Sequence, residues 1–197
     1  MEPWDDPVRE DHRILESQMH VLEVALAMQD VKAEDRAVLL RWVIRELWAT
    51  LELHLRKEEQ VLFSALQRLL GEKAGAVTLM MENHQELRAA LRRLSELLQE
   101  TEAANDQGIT MAADGLIEIL EDHQKKEDRL LIDVLKFNLK PTELKELSRA
   151  YSRVAQKAYE EEGWPRSLWP RPPVAAAPES DPAADGHPQR KAQKVSP

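Results

Sequence analysis

In the first 140 positions the apolar residues recur every three or four places, the period of an amphipathic helix. They fall into four long runs. The first, from about Pro7 to Met28, carries Val8, Leu15, Met19, Leu22 and Leu26. Asp6 is the expected N-cap, and Pro7 suits the first helical position. The second run, about Glu34 to Leu70, carries Leu40, Leu47, Leu51, Leu55, Leu62, Leu66 and Leu69, with Gly71 as its C-terminal cap. The third, about Ala76 to Glu100, carries Val77, Met80, Leu87, Leu91, Leu94 and Leu98. The fourth, about Ile109 to Leu139, carries Leu116, Leu120, Leu130, Val134 and Phe137.

Three breaks separate these runs: DVKA from Asp30, GEKAG from Gly71 and TEAANDQG from Thr101. The pattern predicts an all-α chain, an up-down-up-down antiparallel four-helix bundle over residues 1–140. Pro141 opens a fifth amphipathic run, an accessory C-terminal helix over 141–162. Eight of the eleven prolines lie beyond Gly163, so 163–197 is expected to be a disordered Pro/Ala-rich tail.

Composition narrows the function. The chain has a formal net charge of -9, which argues against nucleic acid or an anionic membrane as its main partner. It has no cysteine, so disulfides and thiolate metal sites are excluded. No apolar run approaches the roughly 20 residues of a membrane span. The segment MEPWDDPVREDHR has neither a basic nor an apolar stretch of the kind a signal peptide needs, and a cytoplasmic location is expected.

The histidines carry the chemistry. His54 is followed four residues later by Glu58, and His123 by Glu127, so each pair faces one point on its helix. Acids are 36 of 197 residues, so one such pair alone means little. Axial position means more. In an antiparallel hairpin two residues share a level when the turn lies midway between them. The midpoint of His12 and His54 is 33, in the first break. The centre of His54 and Glu58 pairs with His84 about 70, at the second. The centre of His123 and Glu127 pairs with His84 about 104, in the third. All four runs thus bring a histidine to one slab. The chain also repeats itself: HLRKEEQVLF from His54 matches HQKKEDRLLI from His123, and EDHRIL from Glu10 matches ENHQEL from Glu82.

Four imidazoles and two carboxylates turned into a leucine-rich core need cations or hydrogen bonds. Nitrogen and oxygen donors without sulfur suit iron, manganese or zinc. Six donors are too many for one tetrahedral zinc site, and suit two octahedral ions bridged by carboxylates.

The order His12, His54-x-x-x-Glu58, His84, His123-x-x-x-Glu127 resembles the hemerythrin-like, or HHE cation-binding, family over about residues 7–140. That resemblance implies a di-iron site with Glu58 and Glu127 as bridges and an oxo or hydroxo group completing them. It implies that His12 and His54 cap one iron, and His84 and His123 the other. Hemerythrin has a fifth histidine four residues after the third-helix ligand; here that position is Arg88, which puts simple reversible oxygen storage in doubt. The function implied is binding of, or reaction with, dioxygen, peroxide or nitric oxide. Two alternatives are an iron-sensing interaction module, and repair of iron-sulfur centres under nitrosative stress, though the N-terminal cysteine segment common in repair proteins is missing.

The neighbours are read as bland. Glu16, Glu59 and Asp128 are expected on the solvated face, His20 off the metal face, and Asp11 and Asp122 as helix-surface charge. Trp42 and Trp48 are expected to pack. His187 is expected to be free, and Trp164 and Trp169 mark a tail root that could pack on the bundle or bind a protein partner.

Overall fold

Helix α1 (Asp6–Ala27) begins at Asp6, so its N-cap is Asp5 rather than Asp6. Pro7 sits in the first turn, where a missing N–H costs nothing. The Asp5 carboxylate caps no backbone group and instead engages Arg9 at 2.7 Å. The second rod is continuous: α2 (Ala33–Lys57), a π-helical turn π1 (Glu58–Phe63) and α3 (Ser64–Leu70). Gly71 closes it at a φ of +56°, a conformation a Cβ disfavours. The third rod is α4 (Gly75–Glu100). The fourth runs through α5 (Asp106–Glu127), π2 (Asp128–Ile132) and α6 (Asp133–Asn138). The fifth is α7 (Pro141–Glu161), whose start is tied by the Lys140 N–H donating to the Glu143 carboxylate at 2.8 Å. This computed structural model describes residues 4–28, 30–71, 75–100, 106–161 and 164. Among them there is no strand, and no helix is long and apolar enough to cross a membrane. The expected tail from 165 onward, with Trp169 and His187, lies outside the described residues.

Contacts run antiparallel between successive rods. Asp11 meets His54 while Gln18, further along α1, meets Thr50, earlier in α2. Arg41 meets Leu98, Glu52 meets Arg88 and Glu59 meets His84 in the same reversed order between the second and third rods. α4 packs on α5, and α5 returns to α1. α7 lies against α1, α2 and π1.

The core is two apolar clusters, not one. The first holds Leu15, Leu22, Leu47, Leu51, Leu87, Leu94, Leu116 and Leu120 among others. The second holds Val8, Leu62, Phe63, Met80, Leu131, Leu135 and, from α7, Leu144, Leu147 and Tyr151. In every one of the first four rods the predicted ligand stands between them: His12 between Val8 and Leu15, His84 between Met80 and Leu87. Trp42 and Trp48 are partly buried against the first cluster, as expected. Leu94 is fully buried at its centre, so Leu94→Ala should cost about 2–5 kcal/mol in a denaturant melt.

Phe137 corrects the sequence reading. It continues the helical stripe through Leu130 and Val134, yet it is 90% exposed. The cause is π2. A π turn adds a residue to the helical repeat, so the inward face beyond it moves on by one position. Leu131, Ile132 and Leu135 are the buried positions, Leu130 and Val134 are only partly buried against the second cluster, and Phe137 is left outside.

Candidate metal centre

His54, Glu58, His84, His123 and Glu127 are all buried, and His12 is only 9% exposed. Their functional atoms fall into two groups. His12, His54, Glu58 and Glu127 place one donor atom each within 4.8 Å of one another, and so do Glu58, His84 and His123. Glu58 belongs to both. His84 Nε2 lies 3.0 Å from one Glu58 oxygen, and His54 Nε2 lies 2.9 Å from the other. His12 Nε2 lies 2.7 Å from Glu127 Oε2. The rings of His84 and His123 stand edge to face at 5.0 Å, and those of His12 and His54 at 5.1 Å. All six side chains selected from the sequence therefore meet in one slab between the two apolar clusters.

Four buried atoms there make no well-directed hydrogen bond: His54 Nε2 and Glu58 Oε1, which lie 2.9 Å apart as an ion pair, and His123 Nε2 and Glu127 Oε1. An orphaned buried polar atom costs about 1–3 kcal/mol. Four in one place are the mark of donors meant for an ion, and the all-nitrogen-and-oxygen set fits iron, manganese or zinc.

The backs of the rings are held. His54 Nδ1 lies 3.1 Å from Tyr151 Oη and 3.3 Å from Asp11 Oδ2. His84 Nδ1 lies 2.8 Å from Glu59, and His123 Nδ1 lies 3.1 Å from Asn83 Oδ1. Each leaves its Nε2 towards the carboxylates, the arrangement in which an outer partner fixes the tautomer of a ligating imidazole.

Residues 5–135 match the family model of the hemerythrin HHE cation-binding domain. The chain belongs to the hemerythrin family. Neither a curated protein nor a solved structure matches it. The family match stops short of α7.

Two expectations about this hemerythrin centre's surroundings are overturned. Asp11 is not surface charge; it is buried, accepts from the Tyr151 hydroxyl at 2.8 Å and pairs with Lys57. Glu59 is not a free solvated acid; it binds both His84 and Arg88, the latter at 2.9 Å. Arg88 also grips Glu52 through two nitrogens, at 2.7 and 2.9 Å. Asn83, Lys57 and Tyr151 did not emerge from the sequence reading. The repeat held the signal for one of them: EDHRIL and ENHQEL align Asp11 with Asn83, and each contacts the ring of the histidine on the next rod. Asp122 pairs on the surface with Lys126 at 2.6 Å, as expected. His20 is exposed beside Glu23, away from the slab. His20→Ala should therefore leave bound iron and melting temperature unchanged, measured by metal analysis and a thermal scan.

Electrostatics divide the six side chains. Burial pulls His123 down to about 3, against the attraction of Glu58, and burial with repulsion from His54 pulls His12 down to about 4. Burial also opposes a charge on His54, but the Glu58 and Asp11 carboxylates outweigh it and raise the ring to about 9. Burial opposes the Glu58 charge too; His54 outweighs it and holds the carboxyl well below its ordinary range. Burial and the Glu58 charge push Glu127 well above. Two carboxylates sharing a site cannot both ionise freely without a cation between them.

Proposed function

We propose that the chain holds a pair of iron ions among His12, His54, Glu58, His84, His123 and Glu127, and binds or reacts there with dioxygen, peroxide or nitric oxide. The fold in this proposal is an up-down-up-down four-helix bundle over 1–140 with 141–162 as an accessory helix. The observation that carries it is the meeting of two groups of buried nitrogen and oxygen donors in one slab, with Glu58 in both. His12 and His54 would serve one ion, His84 and His123 the other, with Glu58 and Glu127 as bridges. Glu58 sits in both donor groups, which supports its bridging role; Glu127 sits in the first.

Bound iron would supply the redox and gas-binding chemistry. The protein's part is to exclude bulk water with the two apolar clusters and to aim each Nε2 inward. Arg88 stands where the resemblance would place a fifth histidine and is already engaged by Glu52 and Glu59. That supports an open position on the ion nearest His84, and a reactive rather than a purely storing role in sensing, scavenging or stress response. A metal-controlled interaction module is the second reading, favoured by the direct contact between α7 and His54.

The test is metal analysis of protein from iron-rich medium, with an optical spectrum before and after oxygen, peroxide and nitric oxide. An iron pair per chain and a spectrum that responds to one of these support the proposal. Zinc or manganese alone, or no metal, overturns it.

A further inference from the structure

Three of the four histidines have an outer partner on Nδ1, and two of these partners follow the internal repeat. Asp11 serves His54 as Asn83 serves His123. Behind Asn83 stands Glu86, accepting from its amide at 3.0 Å. Behind Asp11 the symmetry breaks. Lys57 pairs with Asp11, whereas its repeat counterpart Lys126 reaches out to Asp122. Tyr151, from α7, has no counterpart at all.

Tyr151 is 1% exposed and has its hydroxyl between the two groups that matter. The Tyr151 O–H donates to Asp11 Oδ2 at 2.8 Å, so its lone pair faces His54 Nδ1 at 3.1 Å. Lys57 donates to the same Asp11 oxygen and lies 4.7 Å from the centre of the Tyr151 ring. The chain of donation is consistent from end to end: His54 Nδ1–H to Tyr151, Tyr151 O–H to Asp11, Lys57 N–H to Asp11. With one proton fixed on Nδ1, Nε2 is the nitrogen of His54 left to give up its proton to a metal.

We propose that Tyr151 is a positioning residue for the metal centre, and that through it the docking of α7 and the occupancy of the site stabilise each other. This rests on His54 being a metal ligand, as above. α7 has Leu144, Leu147 and Ala158 as its other buried anchors, and the Tyr151 hydroxyl gives it a buried polar tie to α1. An ion on His54 Nε2 holds the ring in the orientation from which its Nδ1–H reaches Tyr151; a loosened α7 removes that receiver. The coupling is reciprocal by linkage.

The test compares full-length wild type, Tyr151→Phe and Leu144→Ala. Iron affinity is read by competition with a chelator, and amide exchange of residues 141–161 is followed with and without iron. Tyr151→Phe keeps the ring and its packing but loses the hydroxyl. It should bind iron about tenfold to a hundredfold more weakly, the usual effect of losing an outer partner of a metal-bound imidazole. Iron should slow exchange across α7 in wild type and do so much less in Tyr151→Phe. Leu144→Ala loosens α7 without touching the hydrogen-bond chain. By reciprocity it should weaken iron binding, and iron should raise its melting temperature less than that of wild type. Unchanged iron affinity in Tyr151→Phe, or α7 exchange indifferent to iron in wild type, overturns the proposal while wild type still binds iron. A wild type that binds no iron overturns the metal site itself.

Discussion

Glu58→Ala is expected to lose nearly all bound iron and about 3–5 kcal/mol of stability, the cost of breaking a buried ion pair by removing one side. Glu58 is the single side chain common to both donor groups, so its loss removes a donor from each at once. It is also the counter-charge that raises His54 against burial and attracts His123. Without it four buried imidazoles face one another across ring separations of 5.0 to 6.0 Å with Glu127 as the remaining carboxylate. Glu58→Gln separates the two losses. The amide matches the carboxyl in shape and accepts from His84, but carries no charge for a metal. Its iron content should fall nearly as far as that of the alanine variant, with a smaller drop in melting temperature. Metal analysis and denaturant melts of both variants check this. Full iron in Glu58→Ala would show that the ions, if present, sit elsewhere.

The level of the six candidate ligands was legible in the sequence because a helix rises by a fixed amount per residue. Position along a rod follows from counting, and four antiparallel rods convert counting into height. His12, His54, His84 and His123 needed nothing more. Rotation about the rod is less legible, because it depends on unbroken periodicity. The π turns at Glu58–Phe63 and Asp128–Ile132 interrupt that periodicity beside the candidate ligands, and both fall within the repeat HLRKEEQVLF and HQKKEDRLLI. Nothing in a stripe of leucines announces a widened turn, so Phe137 was placed inward although it points to water. Asp11 and Glu59 were misread for a related reason. Both sit beside ligands in acid-rich stretches, and whether such a neighbour turns to solvent or to an imidazole on the next rod is a matter of about one-quarter turn. Tyr151 lies furthest from reach, since no periodicity within 1–140 says where a fifth helix will settle.

Chelated protein should be most stable near pH 6.5, and iron uptake above that pH should release protons. His54, raised to about 9 from an ordinary 6.5, gives a contribution that is complete below pH 6.5 and lost as the pH climbs towards 9. Glu127, raised from an ordinary 4.5, acts in the same sense, its contribution fading as the pH climbs through its raised value. His12 and His123 act oppositely. Depressed to about 4 and about 3, they stay neutral in the folded chain while the unfolded chain takes up their protons below pH 6.5. Between pH 6.5 and 4.5 the unfolded chain gains these two imidazole protons against the one kept by folded Glu127. The two imidazole protons outnumber the single proton that Glu127 can hold, so stability falls on acidification. On the alkaline side the folded chain holds the extra protons of His54 and Glu127, so stability falls again as the pH rises. A metal ion needs both groups bare at its own face. It must displace the Nε2 proton of His54, at least one proton per chain, while the Nδ1 proton stays with Tyr151 and Asp11. Melting temperatures of chelated protein from pH 4.5 to 9, with a pH-stat record of ferrous iron addition at pH 7.5, test both halves. A flat stability profile would mean that the buried imidazoles titrate alike in folded and unfolded chains. Proton-neutral iron uptake would mean that the ion binds outside the slab, since within it no charge can enter without a proton leaving.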